Sequence, residues 1–222
     1  MCNHVAVDAL PPSLPPDRCP GILRPHLAAD GALVRLRVPG GQVPDGALHA
    51  LSRTALDHAD GDVHLTSRGN LQLRGIALDA CGAVPDELTE AVVSAGLLPS
   101  ATHERVRNIV ASPLSGLTGG LADVRPLVRD LDAGLCANPT LADLPGRFLF
   151  GLDDGRGDIA ALRCDLAAVA VDDDTARIVI GGLDGPTVPL TQVPDMLLQL
   201  AHRFARIRGS VWHVRQLPGS GT

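Results

Sequence analysis

From Asp62 to Gly75 the chain alternates between aliphatic and polar side chains on either side of a short turn. Val63, Leu65, Leu71 and Leu73 take the odd positions. His64, Thr66, Arg68, Asn70, Gln72 and Arg74 take the even ones. Such alternation puts successive side chains on opposite faces of a strand. Ser67-Arg68-Gly69 supplies a hairpin turn, with Gly69 free to take positive φ. If the parity survives the turn, one face of the hairpin is aliphatic and the other wholly polar.

The core of such a fold has few materials. Hydrophobic residues make up 45% of the 222, but aromatics only 2%, with no Tyr. The core is therefore built from Ala, Val, Leu and Ile. So few aromatic faces, with a net charge of −6, argue against base stacking and phosphate-backbone binding, so no nucleic-acid partner is expected. All 19 basic residues are Arg. The absence of Lys excludes Schiff-base chemistry and a Walker-type phosphate lysine. Every cation is a planar fork suited to carboxylates.

Five cysteines, Cys2, Cys19, Cys81, Cys136 and Cys164, form no short pair. That reads as reduced thiols in a cytoplasmic protein. No metal site is expected on this chain alone. Residues 1–20 hold Pro11, Pro12, Pro15 and Pro16 and read as an extended tail. No run approaches the ~20 apolar residues of a membrane span.

The pattern predicts strands at 32–38, 62–66 and 70–75 and helices at 45–58 and 85–95. That order suggests a ferredoxin-like α+β unit over 21–96. A second α+β region follows over 97–222. It has strands expected at 106–111, 148–152, 166–171, 177–180 and 211–214, and helices at 121–133 and 191–207. Asp153-Asp154-Gly155 reads as a hairpin turn; the stretch 153–158 fails the calcium-loop pattern.

Three segments carry candidate chemistry. The polar hairpin face offers Arg68, Asn70, Gln72 and Arg74, which suits a ligand with several carboxylates; a solvated sheet face would look the same. Arg107-Asn108 precedes a buried-looking strand, as surface arginines at a domain junction also would. Arg147 opens the strand that contains Phe148 and Phe150.

Together these segments resemble the nitrite/sulfite reductase superfamily, and within it the precorrin-3B synthase branch. The resemblance rests on Cys19-Pro20-Gly21, on Leu65-Thr66-Ser67-Arg68-Gly69-Asn70-Leu71-Gln72-Leu73-Arg74-Gly75, on Arg107-Asn108-Ile109 with Ser112-Pro113 and Gly116, and on Leu144-Pro145 with Arg147-Phe148. The 153–158 turn and Trp212-His213-Val214-Arg215 favour the precorrin branch. The resemblance implies a ferredoxin-like half-domain followed by a reductase-type α+β domain. It also implies a tetrapyrrole site in which Arg68 and Arg107 meet ring carboxylates, with Asn70, Gln72, Arg74 and Asn108 on the same wall. Arg147 matches a basic residue near the substrate anion of the reductases; the second such position is Leu149.

The resemblance covers only an amino-terminal half. The cysteines that hold a four-iron four-sulfur cluster in the family's second half have no counterpart here. Cluster and sirohaem are expected with that missing half, so a homodimer or a separate cluster-bearing chain is the expected partner. Four roles stay open: the tetrapyrrole-binding half of a cobalamin-pathway oxidoreductase, a sirohaem-type nitrite/sulfite reductase-like fragment, a non-catalytic tetrapyrrole-binding protein, or an inactive fragment.

Overall fold

The computed structural model describes residues 17–218. Residues 1–16 of the tail expected over 1–20, and Cys2 with them, lie outside the described residues. The fold is α+β, with two sheets, each covered by its own pair of helices.

The first sheet contains β1 (His26–Ala28), β2 (Gly31–Leu36), β3 (His64–Leu65) and β4 (Leu71–Ile76), in the antiparallel order β1-β2-β4-β3. Ala32, Val34 and Leu36 of β2 and Leu71 and Leu73 of β4 point to one face and are buried. Helices α1 (Ala47–His58) and α2 (Asp86–Ser94) cover it. Ala47, Leu51 and Ala55 recur every four residues on α1, and Leu88 and Val92 do so on α2, so each helix has one apolar stripe to bury. Asp86 and Glu87 favour the positive end of α2.

The hairpin parity survives. His64 pairs with Gln72 and Leu65 with Leu71, so even positions share one face and odd positions the other. Gly69 turns at φ 68°.

The second sheet contains β5 (Ile109–Ala111), β6 (Phe150–Asp153), β7 (Leu166–Ala170), β8 (Thr175–Ile180) and β9 (Leu183–Pro189), in sequence order. Helices α3 (Arg125–Cys136) and α4 (Val193–Ile207) pack on it through Leu127, Val128, Leu131 and Leu135, and through Val193, Leu197, Ala201 and Phe204. Phe148 centres the aromatic contacts, 5.1 Å from Phe150 and 5.0 Å from Phe204. Ile207, the last residue of α4, is exposed.

Three expectations need correction. The 153–158 stretch is not a hairpin turn: β6 and β7 run parallel, so the chain crosses over through a 3-10 turn at Ala160–Leu162. Residues 211–214 form no strand; a 3-10 turn at Val214–Gln216 follows, with the Gln216 side chain accepting from the Trp212 and His213 amides. Helix α3 starts at Arg125 rather than 121 because Ser115 Oγ takes the Val124 amide and holds the preceding loop.

The two units touch where a 3-10 turn at Pro39–Gly41 meets α3. Gly40 has φ 61°, and a Cβ there would lie 2.9 Å from the Val128 methyls. Only glycine fits that approach.

Candidate functional site

Alternation along β2 puts Arg35 on the polar face, and Arg37 continues it one step beyond the strand. Arg35 is register partner to Gln72 of β4. Arg37 is 2% exposed. Its Nε reaches the Arg105 carbonyl at 3.4 Å, while Nη1 and Nη2 are buried without a hydrogen-bond partner. Arg35 Nε is likewise buried and unpartnered. Burial, and then the neighbouring Arg35 and Arg68 guanidiniums, pull Arg37 down to about 10, against opposition from Cys19 and Glu104.

At the hairpin tip, Arg68 Nη1 donates to the Arg147 carbonyl at 3.3 Å. The tip of the first unit therefore meets the lead-in to β6 in the second. Cys19 lies at the same place: burial and Asp17 push its thiol up, while Arg37 and Arg147 act in the opposite direction.

Two carboxylates fix the Cys19-Pro20-Gly21 segment. Asp17 accepts from the Cys19 and Gly146 amides at 3.0 and 2.7 Å and pairs with Arg105 at 2.9 Å. Burial alone would raise Asp17, but these partners outweigh it and hold it below the usual carboxylate range. Glu104 accepts from the Leu23 amide at 3.0 Å and is raised by burial despite that bond and the nearby Arg37 and Arg105.

The residues singled out in the sequence divide into two groups. Arg68, Gln72 and Arg147 belong to the region around Arg35 and Arg37. Arg107 lines a recess together with Arg37 but is locked against Asp132 by two 2.7 Å contacts and is itself buried. Arg74 shares the polar face but is held by Asp30 at 2.9 Å. Asn70 is buried, and its Oδ1 accepts from the Val38 amide at 3.0 Å. Asn108 is buried and donates to the carbonyls of Arg105 and Gly146, both at 2.9 Å. The wall expected from these residues is corrected accordingly. The asparagines build the frame beside Arg37 and Arg147, and Arg107 joins the units from behind.

Arg35 and Arg37 are the residues the sequence reading missed. The signal was present: in 32–38 they alternate with Val34, Leu36 and Val38, as Gln72 alternates with Leu71 and Leu73.

The chemistry available is that of a ligand grip. Arg37 has the Arg35 and Arg68 guanidiniums and the Glu104 carboxylate beside it, and Cys19 lies between the influence of Arg37 and that of Arg147. Buried unpartnered cations cost free energy unless an anion joins them.

Residues 26–91 match the nitrite/sulfite reductase ferredoxin-like half domain. The chain carries that half domain. Ferredoxin–nitrite reductase of Synechococcus elongatus is 32% identical over 200 residues, 85% of this chain and 38% of that protein. Precorrin-3B synthase of Sinorhizobium sp is 30% identical over 155 residues, 69% of this chain and 32% of that protein. The solved Mycobacterium tuberculosis NirA protein superposes with a TM-score of 0.65 at 20% identity, over 85% of this chain and 36% of that one, a likeness of fold. The chain thus spans less than two fifths of each of these proteins. In the ferredoxin-like half domain the hairpin carries Arg68 and Gln72, and β2 leads into Arg37.

A four-iron four-sulfur cluster, which the family implies, needs converging thiolates. Among the described residues the converging metal-capable side chains are Asp153, Asp154 and Asp158. These are hard carboxylates, and Asp153 already accepts three backbone amides while Asp154 pairs with Arg156. The residues present do not fit the cluster.

Proposed function

We propose that this chain is the tetrapyrrole-binding half of a precorrin-3B synthase-like oxidoreductase in corrin-ring synthesis, completed by a second copy or by a separate cluster-bearing chain. The supporting observation is Arg37: a buried guanidinium with two unpartnered nitrogens, beside Arg35 and Arg68. Such a group is costly to keep unless its ligand carries anions. A ring edged with acid side arms presents several carboxylates at fixed spacing, which separate guanidinium forks meet from one wall.

A second reading is a sirohaem-type nitrite or sulfite reductase half, supported by the ferredoxin–nitrite reductase relatives. Leu149 weighs against it. It occupies the position where the reductases place their second basic residue, and it is buried against Val110 and Ile159. Its surroundings suit no cation.

Absorbance titration of the full chain tests the proposal. Uroporphyrin, which carries eight carboxylates, and sirohaem are compared with octaethylporphyrin, which carries none. Saturable spectral change with the acid-bearing rings alone is expected. No saturable change with any of them, or equal binding of octaethylporphyrin, overturns the proposal. Preference for sirohaem over uroporphyrin by more than about tenfold, ~1.4 kcal/mol, moves the assignment to the reductase branch.

A further inference from the structure

A recess of about 570 Å³ opens between residues 39–45, the Gly96–Leu97 junction and α3. Small-molecule sites commonly enclose about 300–1,000 Å³. None of the hairpin residues 64–74 lines it. Val43, Leu97 and Val128 give it an apolar side. Its charged lining is Arg37, Asp45, Arg107, Arg129 and Asp132. Arg107 and Asp132 neutralise each other. That leaves Arg37 and Arg129 against Asp45, an excess of one positive charge.

One orphan belongs to the recess alone, and a second is shared with the ring grip. Gln42 lines the recess, and its Nε2 is buried without a hydrogen-bond partner. The terminal nitrogens of Arg37, which also lines it, are unpartnered too. Both groups are donors, so the missing partner is an acceptor. The Gln42 amide closes the Pro39–Gly41 turn by donating to the Pro39 carbonyl at 3.1 Å, which fixes where its side chain starts. An unpaired buried donor costs about 1–3 kcal/mol, more for a charged one, and the tetrapyrrole reading leaves Gln42 without a role.

We propose that this recess is a second ligand site, for a small organic oxyanion on a short apolar body. The oxyanion accepts from Gln42 Nε2 and the Arg37 guanidinium, and the body lies on Val43, Leu97 and Val128. The site shares only Arg37 with the tetrapyrrole grip.

The test uses the full chain, labelled with ¹⁵N and titrated with butyrate, butyl phosphate or butanol while the Gln42 side-chain amide and the Val43 and Leu97 backbone amides are followed by NMR, the backbone amides serving as the readout in Gln42→Leu. Saturable shifts with the two anions, their absence with butanol, and at least tenfold weaker binding in Gln42→Leu are expected. Arg129→Gln supplies a second variant at the rim and should also weaken binding. Comparing the two anions identifies carboxylate or phosphate as the preferred oxyanion. Absent or non-saturable shifts, equal shifts with butanol, or unchanged binding in both variants overturn the proposal. Arg68→Ala separates the two sites: it should weaken ring binding and leave the Gln42 shifts intact. In the unsubstituted chain, absence of ring binding with these shifts present contradicts the proposed function alone.

Discussion

Arg107 and Asp132 meet in a two-point ion pair, Nε on Oδ1 and Nη2 on Oδ2, each at 2.7 Å. The third contact of Arg107, from Nη1 to the Leu97 carbonyl at 3.4 Å, ties this pair to the junction between the two units. Removing one partner of a buried pair strands the other charge and costs about 3–5 kcal/mol. Asp132 is partly exposed, so Arg107→Ala should cost toward the lower end of that range, read as a fall in urea midpoint at unchanged slope. A neutral result would show that Arg107 is not locked.

Arg37 makes the opposite prediction. Its guanidinium is held at about 10, well below its ordinary value, so the folded state loses protons there before the unfolded state does. The resulting penalty is fully present at neutral pH and is relieved as pH rises above 10 toward the ordinary guanidinium range. Arg37→Met removes it, and replacing a buried ion by an apolar side chain of similar size can stabilise by about 1–4 kcal/mol. Chemical denaturation at pH 7 should show a more stable variant, paired with loss of ring binding. A destabilised variant would mean that Arg37 has partners in the free protein.

Cys164 should make the protein labile in alkali. Burial, and then Asp165, push its thiol from 9.0 up to about 12. The folded state keeps a proton that the unfolded state releases above 9, so this stability is present below pH 9 and is lost between 9 and 12. The loss is about 1.4 kcal/mol per pH unit in that window. The chain has neither Lys nor Tyr to titrate there. Stability measured at pH 8 and 10.5 should fall less for Cys164→Ala than for the parent. Parallel falls would contradict the shift.

Gly21 should tolerate no side chain. A Cβ there would lie 2.4 Å from Glu104 Cδ and 2.5 Å from both its oxygens, and Glu104 is pinned by the Leu23 amide. Overpacking of this kind costs typically 1–3 kcal/mol. Gly21→Ala should lower the melting temperature and raise hydrogen exchange at Leu23. An unchanged Leu23 amide would show that Glu104 moves aside freely.

The α+β class and the hairpin were legible because alternation and helical spacing are local patterns. The free edge of the second sheet was not. β9 contains Gly185, Pro186 and Pro189, which read as turn residues, yet an edge strand tolerates proline because one side of it needs no ladder. β1 was missed because three residues are too short to show a period. The candidate site was half legible. Residue type and parity found Arg68, Gln72 and Arg147, but Asp132 lies 25 residues from Arg107 and Asp30 lies 44 from Arg74. No local pattern reveals such partners, so sequence alone cannot separate an occupied guanidinium from a free one.

The account depends on that separation, and ring binding by two sets of single variants measures it directly. With uroporphyrin as ligand, Arg35→Ala, Arg37→Met and Arg68→Ala should each raise Kd by about tenfold to a hundredfold, as loss of a charged hydrogen bond of ~1.5–3 kcal/mol requires. Arg74→Ala, whose guanidinium is already held by Asp30, should change it less than about threefold. Equal losses across both sets, or a loss confined to Arg74→Ala, would contradict the account.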